Sequence, residues 1–157
     1  MRHSPETAAK TREWRDRARL DLDDAKRPHA THPSGYDNVV FLAQQAVERI
    51  IKAFLVASDV RFPKIHAIEV LLDGYVASLD PDLAQAADFA VELPDYAVLA
   101  RYPPKGEGID RGAGVHALEL MDRAWALFEP RIATLLETDE APEDADEADA
   151  QARDPDA

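Results

Sequence analysis

The amino-acid sequence predicts an all-α protein, an antiparallel helical bundle of four main helices plus a short inserted helix. Apolar residues recur every three or four positions over long segments, which is the spacing of one face of an α-helix. No stretch of useful length alternates apolar and polar residues as a half-buried strand would. With 157 residues, of which 46% are hydrophobic, the chain can bury the core of one compact domain, which we place at residues 1–137.

The first two predicted helices each have one apolar face. The first covers about residues 7–26, stops before Pro28, and presents Trp14, Ala18, Leu22 and Ala25. The second covers about residues 36–58, and its apolar face is longer: Tyr36, Val40, Ala43, Val47, Ile50 and Phe54. Faces of this kind bury themselves against other helices, so the second helix is expected to be a main packing element of the bundle.

Three further helices complete the predicted bundle. The third covers about residues 66–79, with Ile68, Leu72, Tyr75 and Leu79 on its apolar face. Asp80 as N-cap and Pro81 at the first position begin a short fourth helix, which packs through Leu83, Ala87 and Ala90 and ends at Pro94. A loop at residues 94–110 leads to the last helix, about 111–137, which Pro130 is expected to kink; its apolar face consists of Leu118, Met121, Trp125, Phe128, Ile132 and Leu135.

The negative charge of the chain is concentrated at its C-terminal end. The net charge is −13, and residues 137–157 contribute −9 of it through ten acidic side chains and Arg153. Because this segment has almost no large apolar residue, we predict a disordered acidic tail at residues 138–157. The tail favours solubility, and an alternative is that it imitates phosphate charge and shields a basic site.

The other end of the chain contains a basic cluster beside Trp14. Its cations are Lys10, Arg12, Arg15, Arg17 and Arg19. They predict either a phosphate-binding surface or an ordinary solvated helix face with ion pairs at a spacing of four residues. The chain has no cysteine, which excludes disulfides and thiolate chemistry, and its polar N-terminal segment predicts neither a signal peptide nor a membrane anchor. A cytoplasmic location is therefore expected, with no metal site and no cofactor.

Two separated segments resemble the HEPN domain, the nucleotide-binding domain of higher eukaryotes and prokaryotes. The first is QQAVERIIKAFLVASDVRFPKIHAIEVLL, residues 44–72, and the second is residues 96–103, ending in ARYP. The resemblance covers about residues 8–137. It implies a small helical module that binds nucleotides or RNA, often beside a minimal nucleotidyltransferase partner in a toxin–antitoxin or defence setting.

In some branches of the family the resemblance also implies a metal-independent ribonuclease. Those branches use an Arg and a His four to six residues apart, near the junction with the last helix. Arg61 and His66 have this spacing but lie between the second and third predicted helices. His66 is suited to proton transfer, and Arg61 or Lys64 to holding a phosphate. The alternative is that His66 only begins the third helix.

A second predicted phosphate site lies in the loop before the last helix. Arg101, Tyr102 and Lys105 would present a guanidinium group, an aromatic ring and an ammonium group to a nucleotide. The alternative is that they only pack and pair on the surface. Three functions therefore remain open: a nucleotide- or RNA-binding module with a partner protein, a ribonuclease that uses Arg61 and His66, and a scaffold bundle without ligand. A homodimer is expected in each case.

Overall fold

The computed structural model describes residues 3–27, 35–93 and 111–140, and within these ranges it contains helices and no strand. Helix α1 is Pro5–Ala25 and α2 is Gly35–Ala57. The next segment, α3, joins α-helical Ile68–Leu71, π-helical Leu72–Val76 and α-helical Ala77–Leu79. Helix α4 is Pro81–Ala86, a 3₁₀ helix follows at Asp88–Glu92, and α5 is Arg111–Glu140. The predicted all-α helical bundle is confirmed.

Several predicted segments fall partly or wholly outside the described residues. The loops at 28–34 and 94–110 and residues 141–157 belong to this group. Helix α5 continues three residues past the predicted domain end at 137, and it is one continuous helix through Pro130. The disordered tail and the kink at Pro130 stay predictions.

Helix α2 is the central element, packed between α1 and α5. Its predicted apolar face is confirmed, since Val40, Ala43, Val47, Ile50 and Phe54 are all buried and Tyr36 is half-buried. A second row along the same helix is buried as well: Ile51 and Leu55. Because α2 has a neighbour on two sides, its buried surface is wider than the single stripe of a surface helix.

Pairs of contacting residues give the directions of the three long helices. Asp21 of α1 pairs with Arg49 of α2, and Lys26, directly after α1, pairs with Asp122 of α5. Together with the contacts of Trp14 with Lys52 and of Arg19 with Trp125, these pairs make α1 antiparallel to both neighbours. Helices α2 and α5 run in the same direction, because Tyr36 lies against Gly114 and Phe54 against Phe128. The segment from α3 to the 3₁₀ helix returns the chain to the level where α5 begins.

The predicted start of α4 is confirmed in detail. Asp80 accepts a hydrogen bond from the Leu83 backbone N–H at 2.9 Å, and Pro81 occupies the first helical position. The predicted packing line of Leu83, Ala87 and Ala90 is buried. N-caps of this kind can be predicted from sequence, because the capping side chain binds the backbone of the first turn of its own helix.

Helix α3 departs from the prediction at both ends. It begins at Ile68 rather than residue 66, so His66 lies in the connection before the helix. Leu79, predicted to face the core, is 43% exposed, and Val76 is buried instead. The π-helical turn explains the difference, since one extra residue in the turn rotates the following side chains by about 100° relative to a regular α-helix.

Helix α5 buries a face that is shifted from the predicted one. Met121, Phe128 and Ile132 are buried as predicted, whereas Leu118, Trp125 and Leu135 are only half-buried. The centre of the face is lined by small residues that the prediction left out: Gly114, Ala117 and Ala124. Small side chains let the backbone of α5 approach α2 closely, and the large residues flank this contact.

The close approach at Gly114 gives a stability prediction. A methyl group added there would lie 2.9 Å from Tyr36 Cδ1, whereas one added at Gly74 in the π-helical turn would meet nothing within 4 Å. Both changes remove a helical glycine, so the difference between them isolates the clash. We expect Gly114→Ala to lower the free energy of unfolding by about 1–3 kcal/mol relative to Gly74→Ala in urea denaturation. Equal stabilities of the two variants would show that Tyr36 moves aside without cost.

Candidate functional site

A buried polar cluster interrupts the apolar surface of α2. Gln44, Glu48 and Lys52 follow one another at intervals of four residues, so they lie on the same side of the helix. Their residues are only 2%, 3% and 4% exposed. Two opposite charges at this depth need partners, because removing an ion from water costs several kcal/mol.

The Glu48 carboxylate is the centre of the cluster. Its Oε1 accepts from Lys52 Nζ at 2.6 Å and lies 3.0 Å from His66 Nδ1. Gln44 Nε2 donates to Glu48 Oε2 at 3.3 Å and to the His66 backbone oxygen at 3.2 Å. Within the described residues, no buried side-chain nitrogen or oxygen is left without a hydrogen bond. The cluster therefore fixes the connection before α3 to the middle of α2.

This geometry orients the His66 imidazole. The ring is 60% exposed, but its Nδ1 is held by a carboxylate that is itself buried. Because a carboxylate only accepts, Nδ1 carries the proton, and in the neutral ring Nε2 keeps the lone pair. A solvent-accessible imidazole with a fixed tautomer can act as a general base at Nε2.

Lys52 also contacts two aromatic rings. Its Nζ lies 5.6 Å from the centroid of the Trp14 ring and 5.8 Å from that of Phe62. The two rings meet edge to face with centroids 6.3 Å apart. The cation is thus held by the negative faces of the rings as well as by Glu48, and α1 is joined to the connection after α2.

Trp14 and Phe62 also line a cavity of about 540 Å³, which we call the aromatic–cation cavity. Lys10 of α1 and Arg61 of the connection bring two cations to it. Its remaining polar lining comes from Ser4, Glu6, Thr7 and Asp59. One cavity therefore offers cations, aromatic rings, hydroxyl groups and carboxylates.

Asp59 occupies an unfavourable backbone conformation at the end of α2. Its φ angle is 59°, in the left-handed region. The Val60 N–H donates to the Leu55 oxygen at 2.9 Å and the Asp59 N–H to the Val56 oxygen at 3.0 Å, the two bonds of a Schellman motif. Glycine is the preferred residue at this position, and a side chain there costs about 1–2 kcal/mol, less for Asp than for most. The chain keeps a carboxylate at the cavity in spite of that cost.

The two residues predicted to be catalytic line different cavities. Arg61 lines the aromatic–cation cavity, whereas His66 lines a smaller one of about 100 Å³ together with Gln44, Glu69 and Val91. Lys64 is exposed in the same connection, and no ion pair of its side chain is among the described contacts. The predicted phosphate residues Arg101, Tyr102 and Lys105 lie outside the described residues, so this loop site stays a prediction.

A second Arg–His pair with the same spacing lies at the start of α5. Arg111 and His116 are five positions apart, as Arg61 and His66 are. His116 Nε2 lies 2.9 Å from Glu92 Oε2 in the 3₁₀ helix. The spacing of this pair is visible in the sequence, although sequence analysis considered only Arg61 and His66.

The members of the buried cluster were also missed as site residues, although the sequence contains a signal for them. Three polar residues at successive intervals of four, within a helix whose apolar residues cover most of its surface, cannot all face water. One half-buried ion pair also connects α1 and α2: partial burial raises the pKa of Asp21, while the pair with Arg49 opposes the shift.

The comparison with family models decides the family. The model described as HEPN domain matches residues 11–131. The chain belongs to the HEPN domain family. No curated protein and no solved structure matches the chain. Within the part of the chain that the structure describes, no helix is long and apolar enough to cross a membrane, and no three His, Cys, Asp or Glu side chains group as metal ligands would. Membership of the HEPN family supports a function related to nucleotides or RNA in general.

The Glu48–Lys52 pair of this HEPN domain gives a second stability prediction. Glu48→Gln leaves a buried ammonium group without its counter-ion, and we expect a loss of about 3–5 kcal/mol in the free energy of unfolding. Glu13→Gln is the matched control, because Glu13 pairs with Arg17 on the surface at the same spacing and its loss costs about 0–1 kcal/mol. Urea denaturation of both variants measures their free energies of unfolding. Similar small losses in both would mean that water reaches Lys52 and that the pair contributes little.

Proposed function

We propose that this HEPN domain is a nucleotide- or RNA-binding module that works with a partner protein, such as a minimal nucleotidyltransferase, in a toxin–antitoxin or defence setting. The observation that supports binding is the aromatic–cation cavity, in which Lys10 and Arg61 approach Trp14 and Phe62 from two elements. The partner and the setting follow from the family resemblance.

The chemistry of the cavity suits a nucleotide. Arg61 can hold a phosphate by two parallel hydrogen bonds and Lys10 as a point charge. Aromatic side chains stack on bases, and the volume of about 540 Å³ lies within the range of ligand pockets. The positions of the rings are fixed by the buried Lys52 behind them, so the site needs little rearrangement on binding.

A homodimer is part of the proposal. Three large apolar residues of the segment from α3 to the 3₁₀ helix, Val70, Leu79 and Val91, are 37–44% exposed and would be covered by a second copy or a partner. Sedimentation that shows only monomer at micromolar concentration would exclude a stable homodimer.

Binding is tested by titrating the purified protein with ATP and with a short single-stranded RNA. The double variant Lys10→Ala, Arg61→Ala removes both cations of the cavity, and we expect its affinity to fall at least about 10-fold, because each phosphate contact by a cation is worth roughly 1.5–3 kcal/mol. Isothermal titration calorimetry measures the dissociation constants.

The matched control is Lys26→Ala, Arg27→Ala, which removes one lysine and one arginine just beyond the other end of α1. Both side chains are in surface ion pairs, with Asp122 and Asp24. Net charge changes equally in the two double variants. If the control loses as much affinity as the cavity variant, binding depends on overall charge and the cavity is not the site.

A second candidate function, a metal-independent ribonuclease, is supported by the orientation of His66. The buried Glu48 carboxylate holds Nδ1, and a base of this kind can take the proton of a 2′-hydroxyl group. Such a site also needs a cation to stabilise charge on the phosphate in the transition state. Arg61 is the predicted cation, although it lines the neighbouring cavity.

Cleavage of labelled structured RNA in EDTA tests this function. We expect wild type to cleave, and His66→Ala and Arg61→Ala to cut at rates lower by about 100-fold or more, in line with the contribution of a general base. Arg111→Ala and His116→Ala are compared in the same assay, because they form the other pair with this spacing. If only Arg111→Ala and His116→Ala lose activity, the active site lies at the start of α5. If the wild-type protein leaves the RNA intact, ribonuclease activity is excluded.

A further inference from the structure

We propose that the aromatic–cation cavity is one end of a groove for single-stranded RNA, and that Asp59 makes the groove prefer RNA to single-stranded DNA. The proposal rests on the proposed function and deepens it, because it names the class of nucleic acid that this cavity accepts.

A second cavity adjoins the first. It has a volume of about 510 Å³ and shares Ser4, Thr7 and Asp59 with the aromatic–cation cavity. Its other end is lined by Ser58 of the turn after α2 and by Thr138 near the end of α5. Because they share these lining residues, the two cavities lie side by side along the start of α1, and the proposed groove consists of both.

The size of the groove fits more than one nucleotide. Each half lies within the range of volumes that accept a single small ligand. A mononucleotide would fill one half, whereas consecutive nucleotides of a flexible strand can occupy both. Single strands bind proteins through stacked bases and a few cationic contacts, and a duplex is too wide for such a space.

The polar groups are distributed unevenly along the groove. The cations Lys10 and Arg61 lie in the first half, and the shared region has the hydroxyl groups of Ser4 and Thr7 and the carboxylate of Asp59. The two hydroxyl oxygens are 3.1 Å apart, and Ser4 also caps α1 by accepting from the Thr7 N–H. These hydroxyl groups are therefore already engaged, which leaves the carboxylate as the strongest acceptor for a ligand.

Asp59 favours a ribose over a deoxyribose. A carboxylate repels a phosphate, but it accepts a hydrogen bond from a hydroxyl group, and the 2′-hydroxyl is what distinguishes RNA from DNA. The left-handed backbone at Asp59 would be more stable with glycine, so the side chain is retained at a conformational cost. Glu6 lines the first half and offsets part of the cationic charge there.

The balance of charges predicts a weak dependence on salt. Two cations can contact about two phosphates, so the logarithm of the association constant should fall with the logarithm of salt concentration with a slope of about −1.4. A surface that binds any polyanion through the whole basic cluster of α1 would give a much steeper slope.

Fluorescence anisotropy with labelled oligonucleotides tests the proposal on the full chain. Uridine pentanucleotides with ribose or 2′-deoxyribose differ only in the 2′-hydroxyl groups, and unlabelled UMP serves as competitor. We expect the RNA oligonucleotide to bind about 10-fold or more tightly than its deoxy counterpart and than UMP, since each stacked base and each charged hydrogen bond contributes about that factor. Asp59→Gly, which removes the acceptor, should bring the ratio of the RNA and DNA affinities close to one, and Asp59→Asn, whose amide oxygen still accepts, should lower that ratio less.

The possible results separate this proposal from the proposed function. Equal affinity for UMP and the RNA oligonucleotide, or for RNA and DNA, would overturn the groove while leaving nucleotide binding intact. Tighter binding of both oligonucleotides by Asp59→Asn would show that the carboxylate only repels phosphate, which also overturns it. No binding of any of these ligands would remove the proposed function too. We expect Asp59→Gly to raise the melting temperature, because glycine favours the native turn. Loss of the preference for RNA over DNA in this variant therefore cannot result from unfolding.

Discussion

The buried ion pair between Glu48 and Lys52 is the interaction on which the rest of this HEPN domain depends. Both groups lie inside the bundle on α2, the helix that contacts α1, α3 and α5. A buried pair of this kind gives little net stability by itself, because desolvation offsets most of the attraction. Its effect is on geometry. Glu48 holds His66, and Lys52 holds Trp14 and Phe62, so the pair sets the position of the connection after α2 relative to α1.

The packing of the long helices follows a different rule. Helix α5 approaches α2 through Gly114, Ala117 and Ala124, and its large residues Trp125 and Leu118 lie at the edges of the contact. An edge position lets Trp125 stack under Arg19 of α1, which adds a contact between α1 and α5. Small residues at the centre and large residues at the rim thus fix three helices in one arrangement.

The sequence was sufficient for features that depend on neighbours along the chain. The helices, the Asp80 cap and the apolar face of α2 are local patterns, and all of them appear in the structure. The prediction that Leu79 faces the core was wrong, because the apolar periodicity of the sequence gives no sign of the π-helical turn. The aromatic–cation cavity could not be predicted either, since Lys10 and Arg61 meet only after α1 and α2 have packed. The spacing of Arg61 and His66 does not fix which cavity each residue lines. A turn in which the Ile65 N–H donates to the Pro63 oxygen lies between them, and they line different cavities.

Three charged residues, two in the second half of α2 and one just after it, lower the stability of the bundle. A bundle that served only as a scaffold would be more stable with glycine in place of Asp59 and with apolar residues in place of Glu48 and Lys52. Natural proteins tolerate such costs where a binding or catalytic site requires them. Here the costs occur within one small region, where Asp59 lines the cavity and Lys52 lies behind its aromatic rings. Their proximity supports the proposed ligand site between α1 and the end of α2.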